Sequence, residues 1–186
     1  MLFSGPSIWT MVHGIVFGGA ALMALSAALF ALYAARIRNR DTGSGGVSRP
    51  AAESAAESRL LAGLTVFVAV TLWLTVLVGT YVIFPPYRAT PPAGLTDLSQ
   101  YPRALIHASQ DTAWLHSFAM ESKEHLPWIA SMLATAVAFV SMRYRSRVLT
   151  DARLRGMATT LLAICFALVA FVSLMGIFVN KVAPLY

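Results

Sequence analysis

Three of the chain's four histidines, three of its eight acidic residues and one of its 14 basic residues fall in one stretch, His107–Trp128, HASQDTAWLHSFAMESKEHLPW. His116 and Met120 are four residues apart, as are Glu121 and His125, so on a helix each pair shares a face one turn apart. Imidazole with carboxylate suits zinc, iron or manganese, and imidazole with thioether leans towards copper. With Glu124, these residues make a candidate ligand set for a single transition-metal ion. Glu121, Lys123, Glu124 and His125 also have the chemistry of a proton relay at a quinol site, where carboxylates and histidines pass protons in series. The competing account is an amphipathic helix along the membrane interface, with Trp114, Leu115, Phe118 and Leu126 on its apolar side.

The fourth histidine, His13, stands about one turn inside Trp9 in the first apolar run. Gly14, Gly18 and Gly19 follow it and leave room for a helix backbone or a flat ring. One imidazole from each of two facing helices is how a bundle holds a b-type haem. His13 and His125 are therefore the expected axial pair, with His116 the second choice of partner and His107 the third. Arg88 and Arg103 are the expected partners of the propionates, because a guanidinium matches a carboxylate. A hydrogen-bonded structural role is the plainer account of His13.

These residues must be positioned by helices in a membrane. Only 12% of residues are charged, against about 25% in soluble domains, and 58% are hydrophobic. Mean hydropathy is +0.68. The expected fold is an all-α integral membrane protein, a four-helix bundle of one domain, with spans near 7–35, 60–84, 122–142 and 157–179. Residues 41–58 read as a flexible cytoplasmic linker, and 85–121 as an outer loop with an amphipathic segment before the third span. Ten of the 14 basic residues lie in two inter-span segments: Arg36, Arg38, Arg40, Arg49 and Arg59, then Arg143, Arg145, Arg147, Arg153 and Arg155. The positive-inside rule makes those segments cytoplasmic and puts both termini on the outer, periplasmic side. The same clustering, without a basic face carrying interleaved aromatics, excludes nucleic acid as a partner. The first run lacks a basic start and is too long for a signal-peptide core, so it is expected to stay in the membrane.

The third run constrains depth. Pro127–Met142 would make only about 24 Å of helix, short of a hydrocarbon core of about 30 Å. Spanning requires part of MESKEH, which draws Glu124 and His125 to membrane depth, and they are expected to turn inward rather than face lipid. A repeat of two hairpins is one reading of the whole pattern. RIRNR and RYRSR end two spans that carry His13 and His125, while GTYVIFPPY and GIFVNKVAPLY end the other two at Gly79 and Gly176. Chance likeness between apolar helices is the other reading. Cys165, the single cysteine, reads as a packing thiol.

No nucleotide-binding, serine-hydrolase or zinc-protease motif is present. The expected function is a membrane electron-transfer subunit in the cytoplasmic (inner) membrane, a redox subunit rather than a stand-alone enzyme. It would bind haem b near the outer face and pass electrons between quinol and a partner redox protein. Lipid, further subunits of a membrane complex and quinone are the expected partners. The alternative is a cofactor-free structural or assembly subunit, and a third reading is a metal-binding membrane protein built on His116–His125.

Overall fold

The computed structural model describes residues 5–43 and 51–185, with side chains for 5–40 and 52–185. The chain runs through α1 (Gly5–Arg40), α2 (Ala52–Tyr87), the short α3 (Pro102–His107), α4 (Gln110–Tyr144), the short α5 (Ser146–Thr150) and α6 (Ala152–Val182). No strand occurs among the described residues. The four long helices have 31 to 36 residues each and are apolar enough to cross a membrane. At 1.5 Å per residue they reach about 47 to 54 Å, beyond the hydrocarbon core. This is a multi-pass membrane protein.

Each long helix packs on its neighbour in sequence, and α6 closes the square against α1. Both described chain ends and the 88–101 loop therefore lie at one end, called here the terminal end; the arginine segments lie at the other. Small residues bring the backbones close. Ala21, Ala24 and Ala28 of α1 and Ala130, Ala134 and Ala138 of α4 line one buried core with Val68 and Leu162. Such faces let helices associate where lipid supplies no hydrophobic contrast. Cys165 belongs to this core, and its thiol donates to the Ala130 carbonyl at 3.4 Å.

Two boundaries differ from expectation. Helix continues through residue 43 and resumes at Ala51, so most of the expected linker is helical; 44–50 lie outside the described residues. AAESAAES is rich in the best helix former, and Glu53 sits favourably in the first turn. The Arg38–Glu57 ion pair, at 2.7 Å, ties the two helices there. The polar segment before the third span does not lie apart as an interfacial helix; it is the first third of α4. Ser109 starts that helix, its hydroxyl accepting from the Asp111 N–H at 3.3 Å.

α6 begins at Asp151, whose carboxylate accepts from the Leu154 and Arg153 N–H groups at 3.1 and 2.7 Å. Those bonds hold its carboxyl below the ordinary aspartate value. Between α2 and α4 an apolar groove of about 480 Å³ opens on the lipid side, lined by Val70, Leu74, Phe139 and Met142 among others. Trp73 donates to Thr135 at 3.0 Å beside it.

The arrangement predicts topology. Reporter fusions at 146–154 are expected to report cytoplasm, and fusions at 88–100 or after the last helix the outside. A cytoplasmic reading at both 88–100 and the C-terminus would invert the bundle and with it the side on which the polar groups work.

Candidate functional site

Three long helices widen into π-helical turns at the terminal end: Val12–Gly18 in α1, Gly79–Ile83 in α2 and Leu115–Met120 in α4. In α1 the Gly19 N–H reaches back five residues to the Gly14 carbonyl, and in α2 the Phe84 N–H reaches the Gly79 carbonyl. In α2 the cause is legible. Pro85 and Pro86 cannot donate to the Tyr81 and Val82 carbonyls, so the ladder fails just there. Such turns are rare, and they recur at functional sites.

His13 sits in the first widened turn, and its ring rests on Gly79, the first residue of the second. A Cβ built on Gly79 would stand 2.9 Å from His13 Cε1 and 3.5 Å from Nδ1, so only glycine fits beneath the ring. The Thr75 main-chain carbonyl is the ring's polar neighbour from α2. Nδ1 is buried and has no hydrogen-bond partner among the described residues. A buried polar atom left unpaired is uncommon and calls for a cause.

Lys123 of α4 is the charged neighbour of His13. It lies half-buried on α6, where a Cβ built on Gly176 would stand 3.2 Å from its Nζ. No carboxylate pairs with it among the described residues. His13 and Lys123 thus make the same contact, the first long helix of each hairpin laying an ionisable side chain on a glycine of the second. The two hairpins match through His13 and Lys123, where the sequence suggested His13 and His125.

A second cluster caps the terminal end. The Tyr87 hydroxyl and His116 Nδ1 are 2.9 Å apart, and the His107 ring stands edge-on to His116 with centroids 4.5 Å apart. Arg88, Arg103 and Glu121 are the charged neighbours of His116, and Glu124 adds to the field at Tyr87. Tyr87 is buried with Ile106, Leu115, Ala119 and Met120 in a small core of its own. His107, Arg88 and Glu121 are exposed.

The expected site residues therefore divide. Arg88, Arg103, Glu121 and Glu124 gather round Tyr87 and His116. His125 is exposed, and its Nδ1 bonds the Glu121 main-chain carbonyl at 2.8 Å, so that pair is made without the carboxylate. The geometry follows from spacing. His125 lies nine residues before the buried Ala134, about two and a half turns, which aims it away from the bundle. Lys123, expected as a member of a proton relay, continues the inward face: Lys123, Pro127, Ala130, Ala134 and Ala138 recur at steps of four, three, four and four. That stripe was the available signal. Gly14 is exposed with nothing near its missing Cβ, whereas Gly18 is buried and a Cβ there would meet only the His13 carbonyl, at 3.6 Å. Met120 is buried in the cap core. No group of three or more His, Cys, Asp or Glu side chains is placed to hold a metal among the described residues.

No family model, curated protein or solved structure matches the chain. At one end of an apolar bundle it offers a half-buried imidazole with an unpaired Nδ1, an ammonium with no carboxylate beside it among the described residues, and a tyrosine–histidine pair beside the exposed His107.

Proposed function

We propose that this chain is an electron-transfer subunit of a cytoplasmic-membrane complex, working at the outer face between quinol and a partner redox protein. The observation that carries the reading is the His13 ring, half-buried in a widened turn with its Nδ1 buried and unpaired among the described residues. Ionisable groups are costly at membrane depth and mark pathways for protons, ions or electrons. A free imidazole nitrogen there suits an iron ligand or a proton acceptor, whereas a packing residue gains nothing from it.

Haem b is the carrier this reading would use. A haem held by two imidazoles of this chain does not fit, since His125 faces out and no second imidazole is among the charged or polar neighbours of His13. His13 would then be the single imidazole ligand drawn from this chain, supplying a nitrogen to an iron that accepts one electron at a time. The chain's own contribution is to fix that ring on Gly79 and the Thr75 carbonyl. A cofactor-free structural or assembly subunit is the second reading, favoured by the exposed polar cap of Arg88, His107 and Glu121, which offers a partner a charged surface.

Colour separates the two. The purified protein is expected to show a Soret band, with α and β bands on reduction by a quinol. His13→Ala should lose them and His125→Ala should keep them. A colourless native protein would overturn the electron-carrier reading in favour of the structural subunit.

A further inference from the structure

We infer that Arg59 and Arg145 form a receptor for the phosphate of an anionic membrane phospholipid. The site lies at the arginine end of the bundle, away from His13, and does not depend on the redox reading. Between the start of α2 and the junction of α4 with α5 is a cavity of about 300 Å³. Ser54, Ala55, Ser58 and Arg59 line it from α2, and Arg145 and Ser146 line it from the junction. It is large enough for a lipid headgroup, since ligand pockets begin at about this volume.

The two guanidiniums are unengaged. At the same end Arg38 pairs with Glu57, Arg155 donates to the Leu149 carbonyl at 2.7 Å, and Arg143 lies over the Tyr144 ring. The side chains of Arg59 and Arg145 make no ion pair or hydrogen bond among the described residues, and no carboxylate lines the cavity. Ser58 is buried, its hydroxyl donating to the Ala55 carbonyl at 3.0 Å. The hydroxyls of Ser54 and Ser146 have no partner among the described residues and remain as donors.

The backbone supplies a second, independent observation. Arg145 has φ 43° and ψ −115°, and it is the one non-glycine residue with positive φ among the described residues. A residue with a Cβ is strained there, where glycine would be at ease. Its N–H donates to the Ser141 carbonyl at 3.0 Å, and its carbonyl accepts from the Val148 N–H at 3.1 Å, so the conformation is held from both sides. Strained residues of this kind gather at ligand clamps. An arginine kept at a glycine's position points to a use for its guanidinium.

Chemistry and depth select the ligand. Each guanidinium fork bonds two oxygens at once, and a phosphate has oxygens for two forks and the serine hydroxyls, where a carboxylate has only two. Arg59 directly precedes the apolar run 60–84, and Arg145 stands three residues beyond Met142, the end of another. Both sit at the edge of the hydrocarbon, where lipid phosphates lie. Basic pockets between membrane helices take anionic headgroups in this way. A choline headgroup carries its own cation beside the phosphate, so two arginines without a carboxylate favour the anionic lipid.

The experiment follows the unfolding temperature of the purified full chain in neutral detergent. Dioctanoyl phosphatidylglycerol, dioctanoyl phosphatidylcholine or inorganic phosphate is titrated in. Phosphatidylglycerol is expected to give a saturable rise, with an apparent affinity at least ~10-fold tighter than the other two. Arg59→Gln and Arg145→Gly should each weaken that affinity at least ~10-fold. Arg147→Gln, the same charge change outside the cavity, should bind as the native chain does. Without lipid, Arg145→Gly should unfold no lower than the native chain, since glycine relieves the strained φ, so its lost binding is not lost folding. Should it fail to fold, Arg145→Gln removes the charge alone and is read in the same way. No saturable rise in the native chain, or native affinity in both cavity variants, would overturn the site. An equal response to phosphatidylcholine, or an equal loss in Arg147→Gln, would overturn it in favour of a diffuse basic surface. Inorganic phosphate binding as tightly as the lipid would overturn the lipid as the source of the phosphate.

Discussion

Gly79→Ala is expected to unseat His13. The new methyl would fall 2.9 Å from the His13 ring, closer than side-chain carbons approach, and its neighbour is a rigid imidazole rather than a flexible chain end. Overpacking of this kind costs about 1 to 3 kcal/mol. The companion change Gly176→Ala meets only the tip of Lys123, at 3.2 Å, which can swing aside at little cost. Unfolding of both variants in detergent, with spectra of any bound chromophore, checks the contrast. A double-mutant cycle makes it sharper: in a His13→Ala background Gly79→Ala should become nearly neutral, because the atom it strikes is gone. Equal costs in both backgrounds would mean the glycine is needed by the widened turn and not by the histidine.

Ile106→Ala is expected to release the cap while sparing the bundle. Ile106 is fully buried in the small core that holds α3 against the long helices, beside Tyr87 and Leu115. Removing a buried isoleucine side chain costs about 2 to 5 kcal/mol where the surroundings cannot collapse. The cap is a separate, small core, so the loss should appear as local opening rather than global unfolding. Amide exchange and limited proteolysis should then rise across 88–109 and stay unchanged in 125–140. Leu25→Ala, in the main core at 0% exposure, is the counterpart that should lower the global unfolding transition. A global loss in Ile106→Ala would show that cap and bundle unfold together.

The four-helix membrane fold was legible because lipid imposes a strong rule. Long apolar runs punctuated by arginine admit few other solutions, and the four spans appear as helices. The site was less legible, for two reasons. Histidines drew attention by type, whereas the inward face is set by angle, and angle favours Lys123 and His116 over His125. Continuing the Ala130, Ala134, Ala138 stripe backwards would have placed Lys123 in the bundle. The second reason lies in the backbone. Nothing in VHGIVFG or LHSFAM announces a widened turn, since neither run holds a proline to break the ladder; only the Pro85-Pro86 pair gave a local cause. The helical character of AAESAAES was also underestimated, because serines and glycines nearby suggested a linker while alanine decided the outcome.

The widened turns have a consequence for how such a chain can change over time. Each holds about one residue more than an α-helix needs for the same advance, so each behaves as a stored insertion. Deleting one residue within Leu115–Met120 would let the ladder close with the helix on either side left in register, re-aiming only the side chains inside the turn. The Tyr87–His116 pair would be dismantled, while the Ala130–Ala138 face would keep its place against α2 and α6. Length changes at the terminal end can therefore re-aim polar side chains without renegotiating the packing below. The terminal end and the alanine-lined core are free to drift at different rates, joined by turns that absorb the difference.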